Sequence, residues 1–252
     1  MTASISFTAL PGIGEIRAGD DLAGIACAAL ARIPVQPRER DVLIVAQKVV
    51  SKSEGRLVQL ADVSPSPRAL ELAAVTGKDP RVVELVLAES REVLRAKTNV
   101  LIVRHRCGFV MANAGIDRSN VEGADVALLL PLDADASAAA LRDALRQRLG
   151  CDLGVIVSDS FGRAWRHGVV NVALGCAGLP ALIDRRGEAD RHGRILEVTQ
   201  VAYADAIAAG AALAMGEGAE GTPMVLARGL SWSAPDNDGQ ALIRPLEEDM
   251  FQ

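Results

Sequence analysis

Three short apolar runs constrain the fold of this chain most: Asp41–Ala46 (DVLIVA), Leu153–Ser158 and Pro223–Ala227. None approaches the ~18 apolar residues of a membrane span, and each reads as a buried strand. Leu101–Val103 and Phe109–Ala112 read as further strands. Helix signals lie among them without a repeat. Gly19-Asp20-Asp21 caps a helix running to about Ala31. Ser66-Pro67 and Asp79-Pro80 each set a capping residue before a proline at the first helical position. Ala136–Leu149 is the clearest helix, with Leu141, Leu145 and Leu149 on one face and Gly150 ending it. Strands and helices do not alternate one for one, so a doubly wound parallel sheet fits poorly. The expectation is an α+β fold with two subdomains. The acidic, proline-containing stretch Leu130–Asp135 is the candidate hinge.

Composition narrows the function classes. At 252 residues, 50% hydrophobic and 23% charged, the chain can bury a core without disulfides or metal staples. A formal net charge of −5 argues against a general nucleic-acid binder, which needs a basic surface. Any anionic ligand must be held locally, by a metal, a few cations or backbone N–H groups. Met1–Phe7 lacks the charged and apolar regions of a secretion signal, and the most apolar segment, Val201–Met215, is interrupted by Asp205. A cytoplasmic protein is expected. Cys27, Cys107, Cys151 and Cys176 form no C-x-x-C pair and read as buried reduced thiols; His105, His167 and His192 match no zinc spacing.

Four segments carry chemistry. Asn113-Ala-Gly-Ile-Asp-Arg-Ser-Asn120 follows a predicted strand and is rich in loop-forming polar residues. Its plain alternative is a polar turn in which Asp117 caps a helix. In Ser158-Asp-Ser-Phe-Gly-Arg-Ala-Trp-Arg-His-Gly168 an apolar strand runs directly into a carboxylate, a hydroxyl and two arginines. Asp159 and Ser160 at a strand end can present hard oxygen ligands to Mg²⁺ or Mn²⁺. Arg163 and Arg166 could clamp a phosphate or carboxylate. A charged turn with a surface salt bridge is the bland reading.

Met215-Gly-Glu-Gly-Ala-Glu-Gly-Thr-Pro223 contains a G-x-G-x-x-G, but it follows a helix and opens a strand, the reverse of a dinucleotide fingerprint. Glu217 and Glu220 would face a pyrophosphate as bare anions unless a divalent cation lay between. A helix C-cap at Gly216 with a loose loop is the alternative. Gln47-Lys-Val-Val-Ser-Lys-Ser-Glu-Gly55 leaves the DVLIVA strand and holds two of the chain's few lysines, four apart. Ammonium groups suit phosphate oxygens, and two solvated surface lysines are the competing reading. No P-loop and no G-x-S-x-G elbow is present. The set suits a metal–nucleoside-triphosphate site of non-P-loop type, and spacing carries the reading no further.

Together, Gln47-Lys-Val-Val-Ser-Lys-Ser-Glu-Gly-Arg56, Asn113-Ala-Gly-Ile-Asp-Arg-Ser-Asn-Val121, Asp159-Ser-Phe-Gly-Arg-Ala-Trp-Arg166 and Met215-Gly-Glu-Gly218 resemble the coenzyme F-420:γ-glutamyl ligase family, in family order, from Leu10 to about Gly229. The resemblance implies a family-specific α+β ligase fold with mixed and antiparallel sheets, neither P-loop nor ATP-grasp, in an intertwined homodimer. It implies GTP-dependent addition of L-glutamate to F-420-0, and of successive γ-linked glutamates, through an acyl phosphate with release of GDP and phosphate.

Asp117 and Asp159 match a first metal site, Ser160 and Glu217 a second, for Mg²⁺ or Mn²⁺, with K⁺ a further candidate. Asn120, Gln47, Lys48 and Lys52 match GTP contacts. The loop Ile13, Gly14, Glu15, Ile16 and the segment Met215, Gly216, Glu217, Gly218, Ala219, Glu220, Gly221, Thr222 match backbone contacts to the nucleotide. Lys48 and Lys52 would neutralise charge on the transferring group, while Arg163 and Arg166 are candidates, on their chemistry alone, for holding the acceptor's phosphate-rich tail or glutamate. The first loop, Leu10-Pro-Gly-Ile-Gly-Glu-Ile16, departs from the expected Gly-Leu-Pro form. The nitroreductase-like second domain of some members is not expected, since the chain ends at Gln252. A ligase for a modified deazaflavin or another carboxylate acceptor, a non-catalytic GTP-binding protein and a nicotinamide oxidoreductase are the rival readings.

Overall fold

The three apolar runs become neighbours in one mixed sheet. In the computed structural model, which describes residues 4–120, 123 and 125–249, this sheet has the order β1 (Ser6–Ala9), β12 (Met224–Arg228), β2 (Val42–Ala46), β8 (Gly154–Arg163) and β9 (Arg166–Ala177). Residues 1–3 of the N-terminal segment and Val121 of the second motif lie outside the described residues, as does the terminal Gln252. β2 and β8 run parallel, from Val42↔Gly154 to Ala46↔Ser158; the other neighbours are antiparallel.

Both faces of the sheet are covered, which is why its central strands are apolar without alternation. α1 (Leu22–Leu30) and α5 (Ala134–Leu149) pack on the face carrying Leu43, Val45, Val155 and Val157. α6 (Tyr203–Met215) packs on the face carrying Ile44, Ile156 and Val225. The capping signals act as expected. Asp21 accepts from the Gly24 N–H and caps α1, and Gly150 ends α5 with φ 68°. α3 (Pro67–Thr76) and α4 (Pro80–Ala88) start behind Ser66 and Asp79, whose side chains accept from Ala69 and Arg81 N–H groups. These caps are each worth about 1 kcal/mol.

α3 and α4 back an antiparallel meander of β4 (Ser90–Lys97), β5 (Val100–His105) and β6 (Val110–Ala112), enclosing Leu72, Val83, Val86, Leu101 and Val103. α2 (Gln47–Ser53) follows β2 directly; β3 (Leu57–Gln59) pairs with β7 (Val126–Leu128), and β10 (Leu182–Asp184) with β11 (Gln200–Ala202). Met111, Leu130 and Leu174 join the meander to the central sheet. Phe109 meets Phe161 edge to face, with centroids 6.1 Å apart. The fold is α+β with several sheets.

Three expectations need correction. The strand at Leu153–Ser158 does not end at Ser158. It continues through Asp159 and Ser160 to Arg163, because β9 supplies backbone partners along the whole length, from Val155↔Ala177 to Arg163↔Arg166. Asp117 caps no helix among the described residues. It bridges to Leu128 in an antiparallel pair, and its carboxylate accepts from the Ser119 N–H at 2.6 Å. Of the four free cysteines only Cys176 is buried; Cys27 packs at the edge of the core under α1, and Cys107 and Cys151 are half-buried in turns between elements.

Candidate active site

The topology gathers four chain segments at one end of the central sheet. β2 delivers Ala46 there, and α2 begins at once with Gln47. β8 runs parallel to β2 and emerges beside it at Ser158 and Asp159. β12 runs the other way, so the loop that precedes it reaches the same end; Ala46 N–H donates to Pro223 O at 2.8 Å. β1 is antiparallel to β12, which brings the loop after it, residues 13–16, alongside; Leu10 N–H donates to Met224 O at 2.9 Å. Crevices at the carboxyl ends of parallel strands are the usual ligand sites of such sheets.

The result is a cleft of about 460 Å³. It is lined by Ile13–Ile16, Gln47, Lys48 and Lys52 of α2, Asn120, the loop from Met215 to Thr222, and Asp159 and Ser160. The loop is held open by its own bonds. Glu220 accepts from the Gly218 N–H at 2.7 Å, and Thr222 Oγ1 donates to Met215 O at 2.7 Å. Gly216 ends α6 at φ 77°, and a Cβ there would fall 2.3 Å from the Glu220 carboxyl carbon. The dihedral therefore favours glycine, and any side chain here would also displace the Glu220 carboxylate that closes the loop.

The cations of the cleft are already matched to carboxylates. Lys48 Nζ lies 2.6 Å from Asp117 Oδ2 and donates to Ser119 Oγ at 2.8 Å. Lys52, buried, pairs with Glu15 and donates to the Asn120 carbonyl at 2.8 Å. Asp117 and Asp159 are driven apart electrostatically. Burial alone would raise Asp117, but the Lys48 ammonium and the Ser119 N–H hold it below the usual carboxylate range. Burial dominates at Asp159 and, with Asp117 adding repulsion, outweighs the Ser160 N–H, Lys48 and a hydrogen bond to Gln47, pushing its pKa up to about 6. A carboxyl group so disfavoured as an anion fits a position where a divalent cation restores the charge balance.

A second cleft of about 720 Å³ opens on the other side of Asp159 and Ser160. The β8–β9 hairpin forms one wall, through Phe161, Arg163 and Arg166; Ile102, Met111 and Ile116 of the meander side form the other, with Asp117 and Lys97 at the rim. Thus the nucleotide-type residues share one cleft, Arg163 and Arg166 lie in its neighbour, and Asp159 and Ser160 belong to both. Asp117 lines the second cleft and reaches the first through Lys48.

Two cleft residues carry no sequence signal of their own. Ser158 and Asn171 are 1% and 5% exposed, yet Ser158 Oγ and Asn171 Oδ1 have no hydrogen-bond partner among the described residues. Ser158 reads as the last residue of an apolar run, and Asn171 as one polar residue inside Val-Val-Asn-Val. These orphaned oxygens, like Asp117, Asp159, Ser160 and Glu217, are hard-oxygen donors of the kind Mg²⁺ or Mn²⁺ takes, although among the described residues no three His, Cys, Asp or Glu side chains are grouped to hold a metal ion by themselves.

Comparison with known proteins identifies the family of the chain. Residues 12–229 match the family described as F420-0:Gamma-glutamyl ligase. The chain is 44% identical over 250 residues to the coenzyme F420:L-glutamate ligase of Methanothermobacter thermautotrophicus, covering 98% of this chain and 99% of that one. It is 45% identical over 242 residues to the protein of that name from Methanopyrus kandleri, covering 94% of each chain. With the counterpart from Natronomonas pharaonis it shares 47% identity over 247 residues, 96% of this chain and 92% of that one. Identity of this extent, across a chain whose cleft is built from the motif residues, shows that the protein belongs to the F420-0:gamma-glutamyl ligase family.

Proposed function

We propose that the protein joins L-glutamate to coenzyme F420-0 at the expense of GTP, and that it extends the product by further γ-linked glutamates. The observation that carries this reading is the sharing of Asp159 and Ser160 by two clefts. Phosphoryl transfer between two bound substrates needs donor and acceptor to meet at one charged boundary, and these residues form it.

GTP takes the cleft walled by α2 and the Met215–Thr222 loop, with Lys48 and Lys52 leaving their carboxylate partners for phosphate oxygens. Asp117 and Asp159 hold a first divalent cation, Ser160 and Glu217 a second. When bound, these cations neutralise charge on the transferring phosphoryl group and orient it. The second cleft takes F420-0, with Arg163 and Arg166 on its anionic tail or on glutamate. An oxygen of the F420-0 terminal carboxylate attacks the γ-phosphorus, GDP leaves, and an acyl phosphate forms. The glutamate amine then attacks the acyl carbon, the C–O bond to phosphate breaks, and the ammonium proton is lost to solvent as the amide forms. The ordinary carboxylate is a poor acyl donor, and phosphorylation supplies its leaving group.

A homodimer in the cytoplasm is the expected working form.

F420-0 carrying ¹⁸O in its terminal carboxylate tests the chemistry. The acyl-phosphate route moves one ¹⁸O into released phosphate for each amide made. Ligation without that transfer would contradict the acyl phosphate, and GTP turnover with intact F420-0 would point to another carboxylate acceptor.

A further inference from the structure

Ser158 Oγ and Asn171 Oδ1 are buried, line the nucleotide cleft, and are unpartnered among the described residues. Buried polar atoms in this state call for a partner such as a bound water, ion or ligand group. Their position says which ligand. Ser158 and Ser160 are two residues apart on β8 and so point to the same side of the sheet. Ser160 pairs directly with Asn171 across the β8–β9 ladder, which brings their Cβ atoms to about 5 Å. Asn171 Nδ2 is turned to Met215 Sδ, 4.0 Å away, and Met215 immediately precedes Gly216 and Glu217. Asp159 points to the opposite side, toward Gln47 and Lys48.

We infer that Ser158 and Asn171 are ligands of the second cation, beside Ser160 and Glu217; the inference rests on the two-cation reading above. An amide oxygen can only accept, and phosphate oxygens are acceptors too, so the buried Asn171 Oδ1 suits a cation or an N–H or O–H donor and not a phosphate oxygen. Two hydroxyls, one amide oxygen and one carboxylate form a hard-oxygen set of low net charge, which leaves positions for nucleotide oxygens and water around a six-coordinate divalent ion. The low charge also separates the two sites: Asp117 and Asp159 offer two carboxylates, this one offers a single carboxylate. The second cation is therefore the weaker-held of the two and depends on nucleotide for the rest of its shell.

Mn²⁺ titration of the intact protein with a non-hydrolysable GTP analogue, followed by the EPR signal of free Mn²⁺, tests this. Wild type holds two Mn²⁺ per chain. In an Asp117→Asn background, where the second site is read alone, Asn171→Ala weakens Mn²⁺ by about tenfold or more and Ser158→Ala weakens it in the same direction. Asn171→Asp, which adds a carboxylate at the same position, tightens it. Thermal unfolding checks that each variant folds, and Asn171→Asp keeps the test informative if the alanine variant does not. Unchanged Mn²⁺ affinity in both Asn171 variants, with wild type binding two, overturns the assignment alone. Weaker analogue binding at unchanged Mn²⁺ affinity gives Asn171 to the nucleotide and also overturns it. Fewer than two Mn²⁺ in wild type overturns the two-cation reading and this inference together.

Discussion

Lys48 Nζ sits 2.6 Å from Asp117 Oδ2, so a lysine neutralises a carboxylate that the proposed mechanism gives to a cation. Both side chains are near 30% exposed, so the pair contributes at most about 1 kcal/mol to stability. In the proposed mechanism the pair keeps the cleft charge-balanced while empty and would supply an ammonium to phosphate once a cation takes Asp117. Lys48→Ala should leave the melting temperature nearly unchanged and lower ligation turnover by about 10²-fold or more, measured as kcat at saturating GTP.

Asp159 should make the cation-free protein less stable at neutral pH than at mildly acidic pH. Its folded pKa of about 6 lies above the ordinary 3.8, so between those values the folded chain holds a proton that the unfolded chain has released. Stability from this group is therefore full below the unfolded pKa and is lost as pH rises through the folded one, a difference of about 3 kcal/mol. Asp159→Asn should flatten the wild-type fall in melting temperature across this window and raise it at neutral pH without cation. The same variant should lose the stabilisation that Mn²⁺ and nucleotide give wild type. Melting curves from about pH 4 to pH 7, with and without Mn²⁺, check both halves.

Arg163→Ala and Arg166→Ala should separate the clefts. Each side chain lies in the second cleft and not in the first. A lost charge-assisted contact to an anionic acceptor raises the KM for F420-0 or glutamate by about tenfold or more and leaves the KM for GTP unchanged. Steady-state kinetics with each substrate varied in turn reads the difference.

Glu89 is a structural counterpart, remote from chemistry. Arg56 and Arg106 each approach its Oε2 at 2.9 Å, His105 Nε2 lies at 3.6 Å, and Arg56 Nε also donates to Leu130 O at 2.8 Å. Burial would raise Glu89, but His105, Arg56 and Arg106 hold it below the usual carboxylate range. The stability it gives is present above the ordinary 4.5 and is lost as pH falls through its lower folded value. Glu89→Gln leaves the half-buried Arg56 and Arg106 guanidinium groups without their carboxylate and should cost about 2 kcal/mol by denaturant unfolding, with Mn²⁺ affinity unchanged.

The capped helices were legible because their signals are local: Ser66-Pro67 and Asp79-Pro80 fix their own N-termini, and Gly150 its own stop. The second half of β8 was not. Asp159, Ser160 and Gly162 have low strand propensity, and only the distant β9 makes them extended. β4 was hidden for a related reason: its residues, Ser-Arg-Glu-Val-Leu-Arg-Ala-Lys, lie largely half-buried or exposed and lack clean alternation. α2 is short and starts without a capping side chain, so Gln47 and Lys48 read as a loop leaving a strand. The site motifs stood out by residue type, whereas Ser158 and Asn171 are ordinary until the β8–β9 register sets them beside Ser160.

The most direct test of glutamate ligation is mass spectrometry of F420-0 incubated with the purified protein, L-glutamate, GTP and Mg²⁺ or Mn²⁺, beside an Asp159→Asn control. The expected result is a product heavier by one or more glutamyl units with wild type and none with the variant. Unchanged F420-0 with wild type under these conditions would contradict it.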